Sequence, residues 1–246
     1  MWHRGITDWT AFRAAGDLPS VSPGRRRLLV TELGRSEAAL TSLDAGYFAG
    51  RLPPSELWRM YPNFRRGTAF LDIETTGLSP YAGIVTVVTV HGGGSTRTFV
   101  ADDDLEELPA YLRRFQLLVT FNGRLFDVPF LEAQFPGFVV PPGHVDLRYV
   151  LYRLGLAGGL KRIEERLNLG DRRGVEGVDG REAVRLWEEY RSGRTDSLER
   201  LVKYNRADTV NLEPLLHYAV EELTRRLLGD SPFTPEDGRM AQLRAD

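Results

Sequence analysis

The stretch that decides the fold is Phe70-Leu71-Asp72-Ile73-Glu74-Thr75-Thr76-Gly77-Leu78. Its first half predicts a buried strand over residues 68–73, and side chains alternate across a strand, so Asp72 and Glu74 share a face. Asp72 then stands at the strand's end and Glu74 just past it. Two like charges beside an apolar strand are costly unless a cation lies between them, so the pair suits Mg²⁺ or Mn²⁺. The alternative, favoured for a lone Asp-x-Glu, is that both carboxylates end the strand in solvent.

A third carboxylate follows another predicted strand. Residues 117–121 form a short apolar run, the turn contains Asn122 and Gly123, and Asp127 then enters a helix predicted over residues 126–135. Asp127 is therefore a candidate functional carboxylate. An equally supported interpretation is that its charge only offsets the helix dipole.

A fourth carboxylate lies beside a phenol on a long helix predicted over residues 197–227. Asp196, with Glu199 three residues later, forms the start signal of that helix. Tyr204 and Asp208 are four residues apart and so share one helical face. Taken alone, the pair favours a tyrosine at the edge of the core whose hydroxyl is satisfied by the aspartate.

The four carboxylates together change this balance. The chain has no cysteine, so thiolate metal sites, disulfides and cysteine nucleophiles are excluded and any metal must bind oxygen or imidazole. Two hard cations about 3.5–4 Å apart, held by carboxylates, are the arrangement that phosphoryl-transfer enzymes use. The combined motifs therefore predict two divalent ions and phosphodiester chemistry.

Composition sets the broad class. The 246 residues are 42% hydrophobic and 27% charged, which excludes a disordered linker protein. No apolar run is long enough for a membrane span and the start lacks the layout of a secretory signal, so we expect a cytoplasmic protein with no membrane partner. The net charge is −2, but residues 1–66 carry 10 basic and 6 acidic groups, a net of +4.

The predicted elements describe a mixed α/β fold in which helices cover a sheet of about five strands. The strands are predicted at 68–73, 84–90, 96–100, 117–121 and 145–147, and the helices at 105–115, 126–135, 160–167, 181–191 and 197–227. In the leader, residues 28–31 suit a short strand or a helix entry, and residues 42–47 suit a loop or a helical turn.

With these motifs in place, the sequence resembles the DEDD (DnaQ-like) superfamily of exonucleases on the ribonuclease H-like fold. Tyr204-x-x-x-Asp208 resembles its tyrosine subclass, because Lys203 stands where the other subclass has histidine. From about residue 52 to about residue 215 the chain is similar to the bacterial YprB-like ribonuclease H-like proteins. Matching features are the block at 121–127, His144 to Arg148, Gly158 to Lys161 and the helix of Trp187.

The resemblance implies a 3′→5′ exonuclease that releases nucleoside 5′-monophosphates from the 3′ ends of single-stranded RNA or DNA. It implies that Asp72, Glu74 and Asp208 ligate the water-activating metal ion, with Asp72 also bridging to a second ion. Asp127 would hold that second ion through water. Tyr204 would orient or deprotonate the attacking water.

The resemblance also implies a set of substrate contacts. The turn after the first strand would receive the terminal nucleotide, with Leu78 against a base, and further polar contacts would follow; the set is Thr75, Thr76, Gly77, Leu78, Asn122 and Lys161. Lys161 follows two glycines at a helix start, where an ammonium and backbone donors bind phosphate. A capped surface lysine is an equally supported interpretation.

Three segments and two rival functions complete the predictions. Residues 1–60 are an arginine-rich extension, 61–228 the ribonuclease H-like exonuclease domain and 229–246 a tail. The same metal site in a cleft open at both ends would make a structure-selective endonuclease. A non-catalytic nucleic-acid-binding module on this fold is the rival of another class.

Overall fold

The computed structural model describes residues 6–228 except 7, 17, 19 and 176. The predicted tail at 229–246 lies outside the described residues. The strands are β1 (Thr68–Thr75), β2 (Val85–Gly92), β3 (Ser95–Val100), β4 (Leu117–Thr120) and β5 (Gly143–Asp146). The helices are α1 (Trp9–Ala14), α2 (Pro23–Thr41), α3 (Ala45–Ala49), α4 (Tyr61–Phe64), α5 (Leu108–Leu112), α6 (Asp127–Gln134), α7 (Leu147–Arg153), α8 (Leu160–Leu167), α9 (Gly180–Arg191), α10 (Thr195–Val210) and α11 (Leu212–Leu228).

The five strands form one mixed sheet in the spatial order β3-β2-β1-β4-β5. The central strand β1 is antiparallel to β2 and parallel to β4, and β5 is parallel to β4. The prediction of a five-strand α/β fold is confirmed. Because β1 and β4 are parallel neighbours, Glu74 near the end of β1 and the residues that follow β4 lie at the same edge of the sheet.

Both faces of the sheet are buried. Along β1, Leu71 and Ile73 join one hydrophobic cluster and Phe70 joins another, as alternation across a strand requires. The first cluster packs the sheet against α6, α9 and α10 through Phe130, Leu131, Leu186, Trp187 and Leu201. The second packs it against α7 and α11 through Val150, Leu151, Leu215 and Leu216. A strand covered on both sides explains the near-continuous apolar runs in the sequence.

The prediction of a single helix over residues 197–227 is wrong, because Asn211 separates α10 from α11. The side chain of Asn211 is buried, and its Oδ1 accepts a hydrogen bond from the Asp171 N–H at 3.0 Å. Helical periodicity cannot reveal a bond to a loop 40 residues away. The predicted start is also displaced: α10 begins at Thr195 after Arg194, so Asp196 lies in its first turn and does not cap it.

Other boundaries shift for local reasons. The helix predicted over 105–115 divides into a 3₁₀ turn at Leu105–Glu107 and α5, which has Pro109 in its first turn. The strand predicted over 145–147 is β5, which ends at Asp146 because the Asp146 carboxylate caps α7 by accepting the Arg148 N–H.

The N-terminal segment is helical. Residues 28–31 lie inside α2, and residues 42–47 lead into α3, where the Asp44 side chain accepts the Tyr47 N–H at 3.0 Å. Leu57 and Trp58, in a 3₁₀ segment at Pro54–Met60, are buried in the second cluster. In the part of the chain that the structure describes, no helix has the length and apolar character needed to cross a bilayer.

Candidate active site

Two carboxylates lie on β1, where its register with β2 shifts between Glu74 and Thr75. The strand runs to Thr75, so Glu74 lies within it and not just past its end. Glu74 is buried and Asp72 is half-buried. The alternative that both carboxylates end a strand in solvent is therefore wrong.

Asp208 joins this pair from α10, which packs across β1 and β2. Ligand oxygens of Asp72, Glu74 and Asp208 all lie within 4.8 Å of one another. Among the described residues, no other three His, Cys, Asp or Glu side chains come together in this way. The structure thus brings together three of the four carboxylates that the sequence singled out.

The close approach of these carboxylates changes their acidity. Burial raises the pKa of Glu74 to about 8, and the charge of Asp208 adds to the rise. Burial also holds the pKa of Asp72 well above its usual range, with further contributions from Asp208, Glu74 and Asp127. Buried like charges are stabilised by protons or by cations, so the cluster has the electrostatics of a cation site.

Asp127 stands beside this cluster and outside the 4.8 Å group. It is the first residue of α6, after β4 and its turn, and only 3% of it is exposed. Burial raises its pKa to about 7, against hydrogen bonds from its own backbone and from that of Ile73. Its charge in turn raises the pKa values of Asp72 and Glu74. Asp127 therefore adds a buried carboxylate next to the strand that carries the other two.

Tyr204 lies on α10 one turn before Asp208 and hydrogen-bonds to that carboxylate. Its ring belongs to the first hydrophobic cluster, and the Lys161 ammonium lies 4.5 Å from the ring centroid. Burial, followed by the charges of the carboxylate cluster, holds the pKa of Tyr204 above its usual range. Tyr204 is thus both packed at the edge of the core and directed at the cluster.

Asn205 was missed by the sequence analysis. It is fully buried, and its Nδ2 donates to Asp72 Oδ2 at 2.9 Å. A second hydrogen bond from Asn205 opposes the rise in the pKa of Glu74. The available signal was its spacing, because residues three apart on a helix, as Asn205 and Asp208 are, lie near one face.

Arg172 and Glu164 were also missed. Arg172 Nη1 donates to Asp208 Oδ1, while its Nε and Nη2 both bond to Glu164, the latter at 2.9 Å. Glu164 lies on α8 and is 3% exposed. No local pattern indicates Arg172, because it lies in the irregular segment between α8 and α9.

The predicted nucleotide-binding turn follows β1 directly. Thr75 Oγ1 donates to the Gly77 carbonyl at 2.6 Å. Two hydrogen bonds between Thr76 and Ile84 close the loop. Thr76 Oγ1 accepts the Ile84 N–H, and the Thr76 N–H donates to the Ile84 carbonyl, both at 3.0 Å. Leu78 is 90% exposed beside this closed turn. The turn is thus held rigidly next to Glu74, with its apolar side chain free in solvent.

The last two predicted contact residues have internal partners. Asn122 Oδ1 accepts from Arg148 Nη1 at 2.7 Å, and its N–H donates to Asp146, which orders the loop after β4. Lys161 lies in the first turn of α8 and donates to the Val178 carbonyl. It also lines a cavity of about 540 Å³ that includes Arg172.

A protein-family profile described as the RNase_H superfamily matches residues 69–220, which is more than half of the chain. The chain belongs to the RNase H superfamily. The matched region of this RNase H superfamily protein contains every residue of the site described above. No curated protein matches the chain.

Solved structures similar to this RNase H superfamily protein share little sequence with it. A family B DNA polymerase from Pyrobaculum calidifontis is 19% identical, with a TM-score of 0.49, over 71% of this chain and 27% of the polymerase. Brucella melitensis NrnC with bound Mg²⁺ is 22% identical, with a TM-score of 0.46, over 75% and 82%. The Aedes aegypti Nibbler EXO domain is 12% identical, with a TM-score of 0.40, over 75% and 91%. At these sequence identities and TM-scores, the similarities do not indicate the activity of this chain.

The donor set in this RNase H superfamily protein fits divalent cations. Carboxylate oxygens are the ligands that Mg²⁺ and Mn²⁺ prefer, and the chain contains no cysteine to select a softer metal. Asp72, Glu74 and Asp208 are close enough to share one ion. Asp127 is buried beside them.

Proposed function

We propose that this RNase H superfamily protein is a metal-dependent 3′→5′ exonuclease that hydrolyses phosphodiester bonds of single-stranded RNA or DNA and releases nucleoside 5′-monophosphates. The observation that carries the proposal is the convergence of Asp72, Glu74 and Asp208, with Tyr204 bonded to the last of them. We further propose that it belongs with the DEDD exonucleases of the tyrosine subclass, near the YprB-like proteins.

The carboxylates divide between two positions. In this proposal Asp72, Glu74 and Asp208 would hold one Mg²⁺ or Mn²⁺, with Asp72 also contributing to a second ion, which Asp127 would hold. When bound, two such ions supply an activated water and stabilise the departing oxyanion. Asn205 supports this assignment because its amide orients the Asp72 carboxylate from a fully buried position.

In this proposal Tyr204 orients or deprotonates the attacking water. Its hydroxyl already hydrogen-bonds to Asp208, so it lies at the carboxylate cluster without being a member of it. In the hydrolysis, the water oxygen bonds to phosphorus and the 3′ oxygen leaves and takes up a proton. The products are a shortened strand with a 3′ hydroxyl and a 5′-monophosphate.

The substrate lies along the carboxyl edge of the sheet in this proposal. The rigid turn at Thr75, Thr76 and Gly77 receives the terminal nucleotide, and the exposed Leu78 packs against its base. Asn122 and Lys161 flank this path. The proposed partner is therefore a single-stranded 3′ end of a nucleic acid. The cytoplasmic location stays a prediction from the sequence.

The test uses 5′-labelled single-stranded RNA and DNA of one sequence with Mg²⁺, Mn²⁺ or EDTA. The proteins are the wild type, Asp72→Ala, Asp208→Asn and, as a matched control, Asp103→Asn, which changes an exposed carboxylate. We expect a descending ladder for the wild type and the control, and none with EDTA or in the site variants. Uncut substrate under every metal condition would refute the proposal.

A circular single strand separates the rival activities. An exonuclease leaves the circle intact, whereas an endonuclease opens it, and we expect an intact circle. Binding that EDTA leaves undiminished, with no cleavage of any substrate, would instead support the non-catalytic module.

A further inference from the structure

Arg172 is a cation inside an acidic site that is built for cations. Its side chain is 19% exposed, and its guanidinium bonds to both Glu164 and Asp208, one of the three clustered carboxylates. Neither Arg172 nor Glu164 has a part in the hydrolysis described above. A buried charge needs a partner, and this arrangement provides two carboxylates for one guanidinium.

The position of Arg172 is fixed from both sides. Asn211, buried at the junction of α10 and α11, accepts the Asp171 N–H at 3.0 Å and so holds the backbone next to the arginine. Glu164 grips the guanidinium with both carboxylate oxygens. Such two-point pairing fixes the plane of the guanidinium, which a single bond does not.

The charges of the pair decide what Arg172 can do at the site. A free guanidinium beside Asp72, Glu74 and Asp208 would compete with a divalent ion for the same oxygens. Glu164 offsets that charge, so the pair adds no net charge to the cluster. The effect of Arg172 is then to orient the Asp208 carboxylate, because Asp208 Oδ1 accepts a hydrogen bond from a guanidinium whose plane is fixed. Hydrogen bonds that orient metal ligands in this way commonly raise metal affinity 10–100-fold.

We propose that Arg172, held by Glu164, is a positioning residue for Asp208, keeping its carboxylate turned toward Asp72 and Glu74 so that the three bind one divalent ion. The proposal rests on the proposed function for the identity of the ion site. It assigns Glu164 an effect that acts through Arg172.

The test measures Mn²⁺ affinity by electron paramagnetic resonance, with the full chain and no substrate. Replacing Arg172 alone leaves the buried Glu164 carboxylate without a cationic partner, so the main variant is Arg172→Ala/Glu164→Ala. Arg172→Lys keeps the charge and loses the fork. The matched control is Arg173→Ala, because the neighbouring side chain is 90% exposed and pairs on the surface with Asp171. Thermal unfolding in EDTA checks that each variant folds.

We expect the double variant to bind Mn²⁺ about 10- to 100-fold more weakly than the wild type. Arg172→Lys should fall between them, and Arg173→Ala should match the wild type. Unchanged affinity in folded Arg172→Lys or in the folded double variant would overturn the proposal and leave Arg172 a purely structural residue. Tighter binding would also overturn it, because it would show that the guanidinium competes with the ion.

The same measurements separate this proposal from the proposed function. A wild type that binds no Mn²⁺ overturns both. A wild type that binds Mn²⁺ and cleaves, with variants of equal affinity, overturns only the role of Arg172. A wild type that binds Mn²⁺ without cleaving any strand, with weakened variants, supports the role of Arg172 and overturns the nuclease.

Discussion

Asp72→Asn should stabilise the metal-free protein while it abolishes metal binding. Asp72 is the carboxylate whose pKa is raised by all three of the others, Asp208, Glu74 and Asp127. Asparagine has the same shape and keeps an oxygen that can accept the hydrogen bond from Asn205. The substitution therefore removes an ionisable carboxylate, with both its repulsion and the cost of keeping it protonated, and leaves the packing unchanged.

The size of the effect follows from the separation of the ligand atoms. The ligand atoms lie within 4.8 Å of one another, and two unit charges at that limit repel by about 3.5 kcal/mol at an effective dielectric constant of about 20. Protons retained by Asp72 and Glu74 relieve part of this repulsion, so we expect the free energy of unfolding at pH 8 to rise by about 1–3 kcal/mol. For a chain of this length, at roughly 2–4 °C per kcal/mol, that raises Tm by roughly 2–12 °C.

The assay is thermal unfolding followed by circular dichroism at pH 8, in EDTA and in Mn²⁺. With free Mn²⁺ at about 100 times its Kd, the wild type should gain about 2.7 kcal/mol. Asp72→Asn should melt above the wild type in EDTA and gain nothing from Mn²⁺. The difference in Tm between Asp72→Asn and the wild type should therefore shrink or change sign when Mn²⁺ is added.

The control is Asp103→Asn, which removes an exposed carboxylate outside the cluster and should follow the wild type in both conditions. A Tm for Asp72→Asn several degrees below that of the wild type in EDTA would refute the account of repulsion. A Mn²⁺-induced rise equal to that of the wild type would refute the assignment of Asp72 as a ligand.

Three further predictions address the water, the protons and the loop of the site. Tyr204→Phe should lower kcat about 100-fold or more with unchanged Mn²⁺ affinity, and weakened Mn²⁺ binding would argue against a role at the water. In EDTA, Tm should fall as the pH rises from about 5 to about 8, because Glu74 has a pKa of about 8 in the folded protein and about 4.5 in the unfolded chain. An equal fall of Tm with pH in Glu74→Gln would contradict this. Gly170→Ala puts a Cβ 2.6 Å from Asn211 Nδ2, and this clash should weaken Mn²⁺ binding. The control Gly177→Ala has a similar positive φ but open space around the new Cβ, and it should leave Mn²⁺ binding unchanged. Equal effects of the two substitutions would exclude the clash as the cause.

Local patterns predicted much of the fold. Strands such as β1 and β4 are apolar runs of β-branched and large side chains bounded by turn residues, and that signal lies within a few residues of sequence. The break at Asn211 could not be predicted, because the side chain that causes it bonds to Asp171, far along the chain. The prediction that Asp196 caps α10 was wrong for a similar reason, because several neighbouring residues can start a helix and the tertiary packing selects one of them.

The candidate site shows the same division. The chemistry of Asp72, Glu74, Asp127 and Asp208 is a property of residue types, and the spacing along one strand or one helix turn places neighbours such as Tyr204 and Asp208. Asn205 gave a weak signal of this kind. Arg172 gave none, because its role depends on two carboxylates from two different helices.

By itself, the sequence determined the α/β class, the oxygen-only donor set and the pairing of Asp72 with Glu74, because each depends on composition or on strand periodicity. That Asp208 joins this pair was predicted only through the resemblance, and the tertiary structure shows it; that Arg172 stands against Asp208 was decided by the tertiary structure alone. These contacts join residues more than a hundred positions apart, or lie in irregular backbone. Their distances are set by how α10 and the segment after α8 pack on the sheet, and no local spacing encodes that packing.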